Sequence, residues 1–185
     1  TLGADATLAA TTVAFNDTVT GAYALTITGN AVFGNGTADT VTLSGSAKAL
    51  SVSGTSTINA NITTSGAQTY TGAVTLAANA TLSASSITTG STFNASTYAA
   101  TFTTDAIALG GNLSGSGALT IQPKTNSTTI GIGSAASGTL SLDDTELGRL
   151  VDGFSSITIG STTGTGAIAV AYTTPYTFTD PLTIR

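Results

Sequence analysis

Short segments in which apolar and polar residues alternate recur along the whole chain, and they constrain the fold more than any other feature. Examples are ALTI at 24–27, TVTL at 40–43, TYTGAVTL at 69–76, YAATFTT at 98–104 and YTFT at 176–179. Successive segments begin about 7 to 15 residues apart, and turn-forming pairs such as Gly-Asn at 29–30 and Asn-Gly at 35–36 lie between them. Alternation over a few residues is typical of a half-buried strand, so an all-β chain is predicted.

Two architectures are built from many short strands with regular turns: a β-solenoid, and a β-sandwich or barrel. The segments here are mostly three to five residues long, and phrases recur, such as ALTI at 24–27 and again at 118–121. The inward residues are small to medium in size, as the narrow core between stacked coils requires. These features favour a single β-solenoid domain over residues 1–185, with a β-sandwich as the alternative.

The composition excludes several classes of function. Charged residues make up 7% of the chain, against about 25% in an average soluble domain. The cations Lys48, Lys124, Arg149 and Arg185 are scattered, whereas nucleic-acid binding needs clustered Lys and Arg, so no nucleic-acid partner is expected. No apolar run approaches the length of a membrane-spanning helix, so no membrane insertion is expected. Cysteine is absent, which rules out disulfides and thiolate metal sites and suits an extracellular location.

One segment, LSLDDTELGRLVDGFSSITIG at 140–160, departs from the strand pattern. Its apolar residues follow helical spacing at Leu147, Leu150, Val151 and Phe154. Asp143 and Glu146 have the spacing of a capping box, and Gly153 is placed to end a helix. A short helical insertion near 143–152 is therefore predicted.

The same segment holds the densest group of acids, which we interpret as capping residues with favourable charge on the first helical turn. Arg149 is expected to pair with Glu146 or Asp152 on the helix surface. Because no base converges on these acids, no catalytic residue and no enzymatic activity are predicted. No cofactor or metal ligand is assigned, although the sequence leaves open whether Asp143, Asp144 and Asp152 bind calcium.

Two binding functions stay open as alternatives. Thr-x-Thr pairs, which an ice-binding face of a solenoid would use, occur at 18/20, 26/28, 40/42, 55/57, 69/71, 101/103, 163/165 and 177/179. Their spacing is nearly constant only from Thr26 to Thr69, which argues against one continuous face. Glycan binding would use aromatic rings, and the candidates are Tyr23, Tyr70, Tyr98, Tyr172 and Tyr176, with the last two as the best candidates for an exposed pair.

Three stretches resemble repeat segments of filamentous haemagglutinin-like bacterial surface adhesins. They are FNDTVTGAYALTI at 15–27, TTSGAQTYTGAVTLAANATL at 63–82, and LSLDDTELGRLVDGFSSITIGSTTGTGAIAV at 140–170 followed by YTFTDPLTIR at 176–185. The resemblance implies a right-handed parallel β-helix shaft, exported to the cell surface or the medium, without a catalytic motif. The expected function is that of a structural shaft or self-assembling fibre subunit, with host or matrix glycans as a further partner.

The two end segments, TLGADATLAATTVAF at 1–15 and YTTPYTFTDPLTIR at 172–185, both have strand character and little charge to block a sheet edge. Two partners could cover such edges: another copy of the chain in a head-to-tail homopolymer, or neighbouring repeats of a longer chain.

Overall fold

The fold is known from a computed structural model that describes residues 1–36 and 38–185. The described residues form twenty-one strands and one short helix. In chain order these are β1 (Ala6–Phe15), β2 (Val19–Gly21), β3 (Leu25–Phe33), β4 (Thr40–Leu43), β5 (Leu50–Val52), β6 (Ser56–Ile58), β7 (Asn61–Thr64), β8 (Gln68–Tyr70), β9 (Val74–Leu76), β10 (Ala80–Ala84), β11 (Ile87–Thr89), β12 (Phe93–Asn94), β13 (Ala100–Thr104), β14 (Ile107–Leu109), β15 (Leu113–Ser114), β16 (Ala118–Gln122), β17 (Ile130–Ile132), β18 (Leu140–Leu142), α1 (Asp144–Leu147), β19 (Ser156–Ile159), β20 (Ile168–Val170) and β21 (Leu182–Ile184).

These strands make three sheets. The largest has ten strands in the order β14-β11-β8-β5-β3-β6-β9-β12-β15, with β1 also paired to β3. The second has eight strands in the order β2-β4-β7-β10-β13-β16-β19-β21, and the third has three in the order β18-β17-β20. Every strand pair between described residues is parallel. The all-β prediction is confirmed, and residues 1–36 and 38–185 form none of the antiparallel pairs that a β-sandwich needs.

Alternation within each strand explains why these segments form sheets. In β10 and β13 the apolar side chains and Thr104 point inward and are buried, whereas Thr81, Ser83, Thr101 and Thr103 lie half-buried on the outer face. The register places Leu82 against Phe102, and Ile62 against Leu82 on the other side. Equivalent residues thus stack in columns about 20 residues apart, and the buried apolar side chains form one continuous core.

The corners between strands depend on small residues and on polar side chains that satisfy the backbone. The buried hydroxyl of Thr64 donates to the carbonyl of Gly66 at 2.8 Å, and that of Thr104 donates to Ala106 at 2.8 Å. Asn79 accepts from the backbone N–H of Ala99 at 2.9 Å, which ties a corner to the next one. These bonds satisfy polar groups that the strand ladders leave unpaired at each turn.

The segment TYTGAVTL at 69–76 was predicted as one strand and forms two, β8 and β9. A Cβ at Gly72 would collide with the backbone of Gly54 and Thr55 in the adjacent turn. Close approach of two backbones therefore requires glycine here and bends the chain into a corner. The segment YTFT at 176–179 was also predicted as a strand and forms none.

The predicted helical insertion is confirmed, but it is shorter than the sequence pattern indicates. Helix α1 ends at Leu147 with Gly148 as its C-cap, so the prediction that Gly153 ends it is wrong. The chain must become extended again because Leu150 forms a parallel bridge with Leu113 of β15. Leu147, Leu150 and Phe154 are buried as the pattern predicted, whereas Val151 is 37% exposed.

Candidate functional site

The acidic segment around α1 is the densest group of charged residues, and its geometry is that of a structural element. Asp143 is the N-cap: its Oδ1 accepts from the backbone N–H of Glu146 at 2.7 Å. Glu146 Oε2 in turn accepts from the N–H of Asp143 at 3.1 Å. Together these two bonds form the predicted capping box.

The side chain of Glu146 also accepts a hydrogen bond at a sheet edge, where a backbone carbonyl of a neighbouring strand would otherwise accept it. Its Oε1 accepts from the N–H of Leu109 in β14 at 2.8 Å, at the point where the chain forms α1 instead of a strand. Burial raises the pKa of the Glu146 carboxyl above its usual value, although the hydrogen bonds from Leu109 and Asp143 oppose that shift. The carboxylate therefore completes the hydrogen bonding of the β14 edge next to the core.

Asp144 joins three loops on the outer surface. It accepts from the N–H of Ser134 at 2.7 Å, from the hydroxyl of Thr173 at 2.6 Å, and from the N–H groups of Thr173 and Thr174 at 3.0 and 2.8 Å. The pKa of Asp144 is lowered from 3.8 to about 2. The hydrogen bond from the Thr173 hydroxyl lowers it most, followed by those from the N–H groups of Ser134 and Thr174. Through these hydrogen bonds Asp144 connects the loop after β17 to the segment that follows β20.

These contacts decide how the acidic segment is best interpreted. Asp143, Asp144 and Glu146 use their oxygens to accept from backbone and hydroxyl donors within the fold. Among the described residues no group of three or more acidic or other metal-binding side chains converges. Arg149 forms no ion pair within the part of the chain that the structure describes, where the single pair is Lys48–Asp5 at 3.2 Å, so the predicted pairing of Arg149 is wrong.

The tyrosines proposed for sugar stacking are not exposed rings. Tyr70 is fully buried, and its hydroxyl donates to Gln68 Oε1 at 3.0 Å, so it cannot stack on a ligand. Tyr172 and Tyr176 are half-buried and pack against the core. The rings of Tyr176 and Phe178 pack edge-to-face with their centroids 4.8 Å apart, and both cover the core next to Leu150. The described surface also contains no pocket into which a ligand could bind.

The most unusual surfaces are the free edges of the sheets. At one end, β20 and β21 are edge strands that expose Ile168, Val170 and Ile184 by 36%, 49% and 38%. Each is in register with a column of buried residues: Ile168 with Ile130, Val170 with Ile132, and Ile184 with Ile159. These are core positions without a covering strand.

The opposite end shows the same features. Strand β1 pairs only with β3, which leaves its other side free of a strand. Strand β2 pairs with β4, and its other side contacts only Leu2, whose N–H donates to the carbonyl of Thr20 at 2.7 Å. Leu8 and Val13 of β1 are half-buried against the core, and Phe15 stacks on Phe33 with ring centroids 5.6 Å apart. Both ends of the sheets therefore present parallel edge strands with apolar inward residues.

The Thr-x-Thr pairs are distributed differently from the sequence expectation. Thr26 and Thr69 lie in the same outward column of the ten-stranded sheet, whereas Thr40 between them lies on the eight-stranded sheet. The nearly constant interval from Thr26 to Thr69 therefore combines positions on different sheets and does not define a face. On the eight-stranded sheet, the register between neighbouring strands determines which outward residues lie next to each other, whether or not they belong to a Thr-x-Thr pair.

Comparison of the chain with protein-family models, with curated proteins and with solved structures found no match. Within the described residues, no helix is both long enough and apolar enough to cross a membrane.

Proposed function

We propose that this chain is a non-enzymatic extracellular structural protein, a right-handed parallel β-helix that serves as a shaft or self-assembling fibre subunit of a bacterial surface adhesin. The observation that carries the proposal is the repeating parallel register. Ile62, Leu82 and Phe102 occupy one buried column at intervals of 20 residues. A chain that returns to the same column after each such interval, always in the same direction, is a stack of coils, and such stacks are stiff because each coil hydrogen-bonds to the next.

The edge strands support self-assembly. Parallel strands with unpaired N–H and C=O groups and uncovered apolar residues are templates for another strand. In the proposed fibre, β2 of a second copy in the same orientation continues the eight-stranded sheet beyond β21, and Leu2, which bridges Gly21, moves away from that edge. Val19 of the second copy then lies on Ile184, because Val19 occupies the same column as Val41, Ile62 and Ile184.

Strand β1 presents a second edge with an apolar inward residue. Leu8 lies in the column that passes through Ile27 and Val52 of the ten-stranded sheet. At the other end, Val170 is the exposed inward residue of β20 in the three-stranded sheet. In the proposed fibre, β1 of one copy covers β20 of the copy before it, and such a head-to-tail contact repeats without closing.

The remaining parts of the proposal are consistent with the surface. The acids around α1 accept hydrogen bonds from backbone and hydroxyl groups of the fold, which supports a structural role for them. The lack of cysteine and the low charge suit an extracellular rod.

Negative-stain electron microscopy of the purified chain over a range of concentrations tests the proposal. We expect long uniform fibres at high concentration. Ile184→Lys places a charge in the proposed junction and should leave short isolated rods, whereas the control Thr88→Lys, on the outer face of the ten-stranded sheet, should still form fibres. Short rods from the unmodified chain at every concentration would overturn self-assembly and favour neighbouring repeats of a longer chain as the partner. Particles that are not rod-shaped would contradict the β-helix.

A further inference from the structure

The outer face of the eight-stranded sheet carries two adjacent columns of short polar side chains. Register pairs Thr20 with Thr42, Thr42 with Thr63, Thr63 with Ser83, and Ser83 with Thr103. A parallel column two residues away follows the same strands. We call both columns the hydroxyl array; it consists of Thr20, Thr42, Thr63, Ser83, Thr103 and Gln122 in one column and Thr40, Asn61, Thr81, Thr101, Thr120, Thr158 and Thr183 in the other.

The array is wider and more uniform than the outer surfaces of the ten-stranded sheet. There, the shorter strands present one column each, for example Thr26, Ser51, Thr69, Thr88 and Ala108. The array contains no charged residue, and its members change only among threonine, serine and the two amides. A neutral lattice of this kind is matched by a ligand that is itself periodic, and not by a compact small molecule, which needs a concave pocket.

Most of the array hydroxyls have no partner within the fold. Thr103 accepts from Gln122 Nε2 at 3.0 Å, and Thr20 lies 3.3 Å from the hydroxyl of Thr1. The other hydroxyls of the array form no bond to another described residue; they belong to Thr40, Thr42, Thr63, Thr81, Ser83, Thr101, Thr120, Thr158 and Thr183. Buried hydroxyls at the corners, such as that of Thr64, do find intramolecular acceptors. The array therefore directs its hydrogen-bonding capacity outward.

Strand geometry sets the repeat distances of the array. Adjacent strands lie about 4.8 Å apart, and residues i and i+2 on one strand are about 6.7 Å apart. Water oxygens on a face of hexagonal ice repeat at distances of the same order in two perpendicular directions. Threonine is β-branched and stiff at χ1, so its hydroxyl and methyl groups are held in place with little entropy left to lose. A water bound to such a hydroxyl forms a bond nearly as favourable as a direct one.

We propose that the hydroxyl array binds the surface of ice. The hydroxyls hold water molecules at the spacing of the crystal, and the methyl groups lie between them against the ordered layer. The array is formed within one copy of the chain, so this activity is independent of fibre formation. In a head-to-tail fibre with Val19 on Ile184, the column through Thr158 and Thr183 would extend into the next copy.

Thermal hysteresis and the shape of growing ice crystals test the proposal on the full chain at a concentration where it is monomeric. The unmodified protein should show hysteresis and faceted crystals. Thr101→Tyr places a bulky ring in the centre of the array and should remove most of the hysteresis. The matched control is Thr88→Tyr, an outward, half-buried threonine on the ten-stranded sheet, which should retain it.

Circular dichroism and thermal melting establish that each variant is folded. If Thr101→Tyr is unstable, Thr63→Tyr, at a more exposed position of the array, replaces it with the same expectation. The proposal is overturned if the unmodified chain shows neither hysteresis nor crystal shaping. It is also overturned if folded variants on the two sheets lose hysteresis equally, because the array would then have no special part in the effect.

Discussion

A buried polar pair beneath the eight-stranded and ten-stranded sheets provides the sharpest test of the core. Gln68 and Tyr70 are both fully buried. The Tyr70 hydroxyl donates to Gln68 Oε1 at 3.0 Å, and Gln68 Nε2 donates to the carbonyls of Ile62 and Ser83, each at 3.0 Å. Burial also raises the pKa of the Tyr70 hydroxyl, so it stays a donor at all ordinary pH values. The two side chains therefore depend on each other for hydrogen bonding.

The size of the expected effect follows from what each substitution leaves unpaired. Tyr70→Phe removes the donor to Gln68 Oε1 and leaves that oxygen buried without a partner, which should lower the free energy of unfolding by about 1 to 3 kcal/mol. In a Gln68→Leu background that oxygen no longer exists, so the same Tyr70→Phe change should cost nearly nothing. The coupling between the two sites should therefore be about 1 to 3 kcal/mol.

Urea unfolding of the four proteins in this double-mutant cycle, followed by two spectroscopic probes, measures the coupling. Tyr98→Phe, at a half-buried tyrosine, is the control and should change the free energy of unfolding by less than about 0.5 kcal/mol. Equal costs of Tyr70→Phe in the two backgrounds would refute the argument, since they would show that the hydroxyl and the amide do not depend on each other.

Three further predictions concern the backbone and the acids. Gly29 has φ +126°, and a Cβ there would collide with the backbone of the adjacent strand, so Gly29→Ala should lower the free energy of unfolding in urea by about 1 to 3 kcal/mol or more. Gly3→Ala, with open space around it, should leave the free energy of unfolding unchanged. Equal effects of the two substitutions would contradict the packing. Glu146→Ala should destabilise by about 1 to 3 kcal/mol because it leaves the N–H of Leu109 unpaired, and Glu146→Gln should restore much of this loss; failure of the glutamine to do so would argue against the acceptor role. Because the pKa of Asp144 is lowered from 3.8 to about 2, its contribution to stability is fully present above about pH 4 and is lost as the pH falls towards 2. The urea midpoint should fall over that range, and less steeply in Asp144→Asn; identical pH profiles would contradict the assignment.

Strands could be predicted from the sequence where the alternation of apolar and polar residues within the segment itself determines its structure. TVTL at 40–43 coincides with β4, and the capping box of Asp143 and Glu146 follows from their spacing alone. The ends of elements were less predictable because they depend on neighbours distant in sequence. Helix α1 stops at Leu147 since Leu150 pairs with Leu113, and the chain bends at Gly72 because it contacts Gly54.

Register was the main quantity that the sequence could not supply. The interval between stacked residues is 20 from Leu82 to Phe102, 19 from Phe102 to Ile121, and longer where α1 and the three-stranded sheet intervene. A search for one constant spacing of Thr-x-Thr therefore misses the hydroxyl array, in which Asn61, Ser83 and Gln122 take the place of threonine. The use of the acids was also hidden, because Leu109 and Thr173, which donate to Glu146 and Asp144, are far away in the sequence.

The most direct test of the stacked, head-to-tail arrangement is cross-linking at the proposed junction. The chain has no cysteine, so Val19→Cys and Ile184→Cys can be made separately and mixed under oxidising conditions. Neighbouring parallel strands place facing Cα atoms about 4.8 Å apart, which is within the range of a disulfide. The account predicts a disulfide-linked dimer from this mixture and none from Val19→Cys mixed with Thr88→Cys. Equal cross-linking in both mixtures, or none in the first at concentrations where fibres form, would contradict it.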